Sequence, residues 1–207
     1  MIAQLKAVLL SIQLFSTLIV QVPLRPYQVT PANAVIDSCL HHKGTEFLWV
    51  FPRQSGKDET IAQLVTFLLT LFQRTEACIV HVYPTQQQLQ TGTSRLQARL
   101  ANPITSRRAW HKSRPARLGL GRASCVFFSG HPQARSEGAT ANLLLIVNEA
   151  QDQNDLIIER RFTPMRASTT STKSTKWTSW IATRAVTAGP LPPISTPRSI
   201  SAKSPSA

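Results

Sequence analysis

The residues best suited to chemistry in this sequence are residues 51–58, Phe-Pro-Arg-Gln-Ser-Gly-Lys-Asp, between an apolar run and a predicted helix. A phosphate-binding loop needs small residues, a lysine that reaches the terminal phosphates, and a helix whose N-terminus faces the charge. Gly56 and Lys57 meet these needs in the right context, and the segment therefore predicts such a loop. Two residues depart from the usual GxxxxGK[ST] spacing, since Phe51 replaces the first glycine and Asp58 replaces the Ser or Thr that contacts magnesium.

A second chemical signal lies about ninety residues further on, where the apolar run 143–147 ends in Asn148 and Glu149. P-loop ATPases use a buried strand to deliver a carboxylate that holds magnesium and polarises water. Glu149 is therefore the predicted water-activating carboxylate, and Asn148 occupies the position where an Asp usually supports the metal. A core strand followed by a polar cap is the alternative interpretation, and the presence of the phosphate loop makes it less favoured.

The elements that must position these residues alternate between strands and helices along the chain. Apolar, β-favouring runs bounded by Pro, Gly or polar residues predict strands, and longer polar-apolar segments predict helices. Strands are predicted at 47–51, 77–83, 124–128, 143–147 and 162–167, and helices at 31–41, 58–72 and 86–100. Such alternation predicts an α/β fold, a P-loop NTPase with a mostly parallel sheet flanked by helices.

Five short motifs, in order, resemble the ATPase domain of the large terminase subunits that drive viral DNA packaging. Residues 53–57 (Arg-Gln-Ser-Gly-Lys) are similar to the divergent Walker A motif of that family, and residues 148–151 are similar to the end of its Walker B motif. Residues 24–28 resemble its adenine-recognising motif, and residues 83–88 resemble the segment after its second strand. Residues 164–169 look like the approach to its coupling motif, so the resemblance spans residues 24–170.

This resemblance implies an ATP-hydrolysing motor with ATP and Mg²⁺ as cofactors. It implies that Gln28 contacts adenine, that Lys57 binds the β- and γ-phosphates, and that Arg53 stabilises the transition state. A plain turn remains the alternative at residues 27–28, and a solvated loop arginine remains the alternative for Arg53. The implied sites are catalytic Glu149 and Arg53, ATP-binding Gln28, Gln54, Ser55, Gly56, Lys57 and Asp58, and metal-binding Asn148 and Asp58. The implied partners are double-stranded DNA, a small terminase subunit, a portal and further copies in a ring, in the cytoplasm of a host cell and without a membrane.

Charge points independently to a polyanionic partner, since 23 Lys and Arg against 10 Asp and Glu give a net charge of +13. Phosphate contacts dominate the affinity of nucleic-acid-binding proteins. A stretch without acidic residues between Glu76 and Glu137 contains Trp110 among many arginines. The residues predicted to contact DNA are Arg107, Arg108, Lys112, Arg114 and Arg117. A solvated basic loop is the alternative interpretation of this stretch.

The ends of the chain differ in composition from the predicted ATPase domain at 23–170. Residues 1–22 predict an amphipathic helix, with a signal peptide as the alternative. From Arg160 onward, 18 of 48 residues are Ser or Thr, so residues 171–207 are expected to form a disordered basic tail. One hypothesis for the abrupt change is a frameshift in a decaying prophage gene, which would leave the ATPase domain incomplete.

Two features limit the function further. No Asp or Glu follows Glu159, so the carboxylate-bound metal pair of a terminase nuclease domain is not expected here. Three widely spaced cysteines without a CxxC pair favour a reducing compartment. The expectation is a truncated packaging ATPase, active or inactive. The alternatives are another helicase-like P-loop ATPase and a non-catalytic basic protein that binds nucleic acid.

Overall fold

The fold is built on a central β-sheet. The computed structural model describes residues 7–131, 139–166 and 179–186. In these residues a seven-stranded sheet has the order β1-β7-β6-β2-β5-β4-β3. The first five strands in that order are parallel, and β4 and β3 extend the sheet in antiparallel fashion. The strands are β1 (Glu46–Pro52), β2 (Cys78–Tyr83), β3 (Ala109–Ser113), β4 (Ala116–Leu120), β5 (Ala123–Ser129), β6 (Leu144–Val147) and β7 (Ser179–Val186).

Helices cover both faces of the sheet, which confirms the predicted α/β architecture with a mostly parallel sheet. The helices are α1 (Ile12–Phe15, continued by a π-helical turn Ser16–Val20), α2 (Pro26–Leu40), α3 (Lys57–Phe72), α4 (Gln86–Leu100) and α5 (Asp155–Ile157). Helix α5 continues as a π-helical turn, Ile158–Phe162, and a 3-10 turn, Thr163–Arg166. Among the described residues, no helix is both long enough and apolar enough to cross a membrane.

Helix α3 is the centre of the larger apolar core. Its buried side chains continue from Thr60 to Thr70, because the sheet lies on one side of it and other helices cover the rest. Phe15 of α1 packs edge-to-face on Phe67 of α3, with ring centroids 5.2 Å apart. Burial of this kind contributes about 25 cal/mol per Å² of apolar surface, which fixes α3 against the sheet. The rigidly packed helix therefore holds its first residue, Lys57, in a defined place.

The opposite face of the sheet carries a smaller core. In β2, Ile79 faces the α3 core, whereas Val80 and Val82 face the second core with Phe162 of the α5 segment. Strand side chains alternate between faces, so a strand covered on both sides must be apolar throughout. This requirement explains why β2, β5 and β6 appear in the sequence as nearly continuous apolar runs.

Two sequence-based assignments near the C-terminus are wrong. Residues 179–186, predicted to lie in a disordered tail, form β7, which pairs with both β1 and β6. Residues 162–166, predicted as strand, complete the π-helical turn and form the 3-10 turn. Backbone hydrogen bonds to a neighbour on each side stabilise β7, and these are non-local bonds that a Ser/Thr-rich composition does not reveal. The remaining residues of the predicted tail lie outside the described residues.

The N-terminal helices also differ in their bounds from those predicted. Residues 7–10 are helical, a break follows at Ser11, and the helical turns then continue to Val20. Helix α2 begins at Pro26, five residues before the predicted start. The reason is a cap, since the Arg25 N–H donates to Gln28 Oε1 at 2.8 Å and proline is tolerated in a first helical turn.

Candidate functional site

The phosphate loop predicted from the sequence connects the end of β1 to the start of α3. Gly56 has φ +83°, a left-handed conformation that favours glycine, and Gln54 also has a positive φ of 61°. A Cβ atom on Gly56 would lie 2.7 Å from Gln28 Nε2, so a larger residue does not fit. No side chain caps the N-terminus of α3. Its first-turn N–H groups therefore suit an anion, as helix N-termini generally do.

A cavity of about 500 Å³ opens above this loop. It lies beyond the carboxyl ends of the parallel strands, where ligands bind in open α/β sheets. Strand β7 separates β1, which leads into the loop, from β6, which leads to Glu149. The lining residues are the loop and first helical turn (Pro52, Arg53, Gln54, Ser55, Gly56, Lys57, Asp58, Glu59), two residues of α4 (Gln88, Arg95) and the segment after β6 (Glu149, Gln151, Asp152).

Lys57 and Glu149, 92 positions apart in sequence, meet inside this cavity. The Lys57 side chain is 6% exposed, and its Nζ donates to Glu149 Oε1. The other carboxylate oxygen of Glu149 accepts a hydrogen bond from Gln151 Nε2 at 2.6 Å. Glu149 has φ +46°, a conformation uncommon in residues other than glycine, and it turns the chain sharply after β6. The cation and the carboxylate that the predicted chemistry requires are therefore together, and each neutralises the other.

Asn148 is oriented by Thr183, a buried residue of β7. The Glu149 N–H donates to Thr183 Oγ1 at 3.1 Å, so the hydroxyl hydrogen is left to donate to Asn148 Oδ1 at 2.7 Å. This pattern identifies which terminal atom of the Asn148 side chain is the oxygen and which is the nitrogen. Its Nδ2 then faces Asp58 Oδ1 at 3.3 Å. The two predicted metal-site residues are thus adjacent, with Asn148 as a hydrogen-bond donor and Asp58 as the carboxylate.

The chemistry of these side chains fits a magnesium ion at Asp58. Mg²⁺ prefers oxygen ligands and binds through one or two carboxylates together with substrate phosphates. The Asp58 side chain is 42% exposed at the cavity wall, 3.5 Å from the Arg95 guanidinium. In the described part of the chain, no three His, Cys, Asp or Glu side chains converge to hold a metal without such phosphates.

Gln28 lies behind the phosphate loop, and it does not line the cavity. It is buried, and its Nε2 donates to the carbonyl oxygens of Ser55 and Gly56 at 3.1 and 3.3 Å. The neighbouring Tyr27 hydroxyl donates to the same Ser55 carbonyl at 2.8 Å. Adenine contact by Gln28 stays a prediction, whereas Arg53 is an exposed loop residue at the cavity wall.

His81 of β2 is a buried titratable group close to this site. Burial, and to a smaller extent the positive charge of Lys57, lower its pKa to about 3. Its ring stacks against Phe127 and lies 4.3 Å from the Tyr83 ring, measured between centroids. Burial also raises the pKa of the Tyr83 phenol well above its usual value. The layer under the loop is therefore electrically neutral at ordinary pH.

Sequence reasoning missed Thr183 as a site residue. It placed the approach to a coupling motif at residues 164–169, but residues 163–166 form a 3-10 turn in which Arg166 pairs with Glu46 at 2.6 Å. Residues 167–169 lie outside the described ranges. Thr183 instead contacts the end of β6 from the adjacent strand, and an available signal was the run Trp180-Ile181-Ala182-Thr183 within a polar segment.

The basic residues predicted to contact DNA do not form one cluster. Strands β3 and β4 form a hairpin, with Lys112 opposite Arg117 and Arg114 in its turn. This turn lies toward the carboxyl ends of the parallel strands, as the phosphate loop does. Arg107 and Arg108 precede β3 and lie toward the amino ends of the parallel strands, roughly 15 Å away along the strand.

Part of the basic stretch is a folded hairpin whose shape is fixed by Trp110. Trp110 packs its ring over Gly119 on the opposite strand and donates from Nε1 to the Gly121 carbonyl at 2.8 Å. The indole is thus occupied in fixing the hairpin, although 37% of it remains exposed. Lys112 and Arg114 are exposed at the tip. The structure therefore presents two separate basic regions on a folded hairpin.

Comparisons with known proteins find a similar fold in one solved structure, the crystal structure of the HK97 bacteriophage large terminase. The TM-score is 0.54 at 15% sequence identity, over 79% of this chain and 34% of that chain. The chain thus spans about a third of the length of that terminase. No family model matches the sequence, and no curated protein matches it. The similarity shows a terminase-like fold.

Proposed function

We propose that this chain binds ATP and hydrolyses it as the motor domain of a terminase-like DNA-packaging machine. The observation that carries the proposal is the meeting of Lys57, from the phosphate loop, with Glu149, from the end of β6, in one cavity. A cation that holds the phosphates and a residue that activates or orients the attacking water are recurring parts of sites that hydrolyse phosphoanhydrides. The fold shared with the HK97 bacteriophage large terminase supports the same function.

The pairing of Lys57 with Glu149 suggests how ligand binding prepares the site. Phosphate oxygens entering the cavity compete with the Glu149 carboxylate for the Lys57 ammonium group. When Lys57 turns to the phosphates, Glu149 is released to accept a proton from the attacking water. The resting site is thereby kept inactive until a triphosphate arrives.

The remaining predicted roles follow from the positions of the side chains. Arg53, exposed on the loop, is suited to stabilise the charge that develops on the transferred phosphoryl group. Asp58 would hold Mg²⁺, which neutralises charge on the phosphates when it is bound. Thr183 holds the Glu149 backbone and the Asn148 side chain by hydrogen bonds, and Asn148 in turn orients Asp58.

The proposed partners extend from the ATP site to the hairpin. Lys112 and Arg114 lie toward the carboxyl ends of the parallel strands, as the cavity does, so double-stranded DNA bound there would lie on the same side of the domain as the site of hydrolysis. A small terminase subunit, a portal and other copies of this chain in a ring are proposed on the basis of the terminase-like fold, in the cytoplasm of a host cell. A non-catalytic nucleic-acid-binding protein is the second candidate, and the exposed basic hairpin favours it.

Nucleotide titration tests the proposal and separates it from this second candidate. A fluorescent ATP analogue is expected to bind the full chain, and Lys57→Ala is expected to weaken binding at least tenfold because a charged contact to phosphate is lost. Lys112→Ala is the matched control, since it removes an exposed lysine of the hairpin and leaves the cavity intact. If Lys57→Ala binds the analogue as well as the parent chain does, the loop assignment is wrong.

A further inference from the structure

The Gln28 side chain is occupied by the protein itself. It is 5% exposed, its Oε1 accepts the Arg25 N–H, and its Nε2 donates to two carbonyl groups of the phosphate loop. We infer that Gln28 is a positioning residue that holds the phosphate loop for the triphosphate, and that its amide does not read the nucleobase. The inference rests on the proposed nucleotide binding and specifies which part of the nucleotide this residue serves.

The geometry of the peptide units explains how a residue behind the loop can act on a ligand in front of it. A trans peptide is planar, with its C=O and N–H groups pointing in opposite directions. Gln28 and Tyr27 draw the Ser55 carbonyl backward, so the Gly56 N–H of the same peptide points forward. Gln28 and the first turn of α3 hold the Gly56 carbonyl in the same way, which turns the Lys57 N–H outward.

Close packing makes this arrangement specific. The Gln28 amide fills the space where a Cβ atom of residue 56 would lie, at 2.7 Å from Nε2. The left-handed backbone at Gly56 and the buried amide at Gln28 therefore depend on each other. A loop held in this way pays little ordering entropy when phosphate binds, which is the usual benefit of preorganisation.

Recognition of adenine by the same amide would require part of this network to break. Both hydrogens of Gln28 Nε2 are donated to the loop, so a purine that accepted a hydrogen bond from Nε2 would have to displace at least one of these two contacts. The cost would be an unsatisfied buried donor or acceptor, typically ~1–3 kcal/mol for each group. The loop that must hold the phosphates would lose its support in the same step.

The test compares three probes on the full chain: ATP, GTP and inorganic tripolyphosphate, each competing with a fluorescent ATP analogue. Gln28→Leu is expected to weaken all three by the same factor, roughly tenfold for the loss of two loop contacts. Tyr27→Phe, which removes only one hydroxyl, is expected to weaken all three by a smaller common factor. Gln63→Leu is the matched control, because Gln63 is also buried but donates to the Val22 carbonyl and the Glu59 carboxylate, and not to the phosphate loop.

Distinct outcomes separate the inference from the proposed function. If the parent chain binds none of the three probes, the proposed function fails and the inference fails with it. If the parent binds and Gln28→Leu weakens ATP while sparing GTP and tripolyphosphate, Gln28 reads the base and the inference alone is overturned. Unchanged binding of all three probes by both Gln28→Leu and Tyr27→Phe overturns it as well. A loss shared equally by Gln63→Leu would show general destabilisation, and it too would refute a role specific to Gln28.

Discussion

Acidification provides a test of how tightly the layer beneath the phosphate loop is packed, because His81 is buried there as a neutral imidazole. Its pKa is about 3 in the folded protein, first because of burial and second because of the Lys57 charge, against an ordinary value of 6.5. At a pH between these two pKa values, the histidine is protonated in the unfolded chain and neutral in the folded chain. The contribution of neutral His81 to the free energy of unfolding is therefore fully present above about pH 6.5, and it is lost as the pH falls toward about 3.

The size of this loss follows from the two pKa values. Each pKa unit corresponds to ~1.36 kcal/mol. A pH of about 4.5 lies about two units below the pKa of the imidazole in the unfolded chain, which is therefore protonated, while the imidazole in the folded chain is still neutral. The His81 contribution to the free energy of unfolding should therefore fall by roughly 2 to 3 kcal/mol between about pH 7 and about pH 4.5. The full difference between the pKa values, approached near pH 3, corresponds to about 5 kcal/mol.

Urea unfolding followed by tryptophan fluorescence measures this loss at the two pH values. His81→Phe keeps a ring against Tyr83 and Phe127 but cannot take up a proton, so it should reduce the pH dependence by roughly 2 to 3 kcal/mol. His111→Phe, on the exposed face of β3, is the matched control for removing a histidine. If His81→Phe and the parent chain lose the same stability on acidification, His81 is not held neutral by burial and the packing of this layer has been misread.

Two further predictions concern the two functional surfaces. Glu149→Gln should bind the ATP analogue more tightly, because Lys57 no longer has a carboxylate partner, while phosphate release should slow by ~10²–10⁴; an unchanged rate would assign the base to another residue. Replacing Lys112 and Arg114 by Gln should reduce the slope of log affinity against log salt for duplex DNA by about 0.9 per lost phosphate contact. The matched pair Arg107 and Arg108, toward the amino ends of the parallel strands, should change that slope less, and the reverse order would place the DNA there.

The parts of the site that were predictable from sequence are those with local signals. The phosphate loop joins a strand and a helix that are contiguous in the chain, and Gly56 marks the left-handed turn between them. The apolar run before Asn148 likewise identified β6, because a strand covered on both faces must be apolar throughout. Both signals lie within about ten residues, so neither required knowledge of distant pairing.

The parts that were not predictable depend on distant partners. Strand β7 is a short, mostly apolar run within a Ser/Thr-rich segment, and it lies between β1 and β6, where it carries Thr183 to the end of β6. The β3–β4 hairpin was missed because its strands lie at the outer edge of the sheet, where exposed Lys112 and Arg114 are tolerated. The contacts of Gln28 could not be predicted for a similar reason, since they join it to Ser55 and Gly56, which lie 27 and 28 positions further along the chain.

The last prediction concerns the residue types at positions 58 and 148, where the carboxylate and the neutral side chain are interchanged relative to the usual motifs. The familiar arrangement places a hydroxyl after the loop lysine and a carboxylate at the end of the strand, whereas this chain has the carboxylate at Asp58 and the neutral group at Asn148. The hydrogen bond from Asn148 Nδ2 to Asp58 Oδ1 at 3.3 Å therefore joins a neutral amide and one carboxylate at the proposed metal position. Asn148→Asp would set two carboxylates against each other.

Without metal, that pair should destabilise the protein, since like charges about 4 Å apart cost between about 1 kcal/mol in water and about 4 kcal/mol near a protein surface. Mg²⁺ with ATP should restore the loss in Asn148→Asp, because both carboxylates can then face one cation. Asp58→Asn should lose the Mg²⁺ response altogether, because the neighbouring Asn148 directs an amide N–H, and not an oxygen ligand, at residue 58. Thermal unfolding with and without Mg²⁺, at fixed ATP, measures both effects. Equal Mg²⁺ stabilisation of Asp58→Asn and the parent chain would show that the cation is held elsewhere, and the assignment of Asp58 would then have to be abandoned.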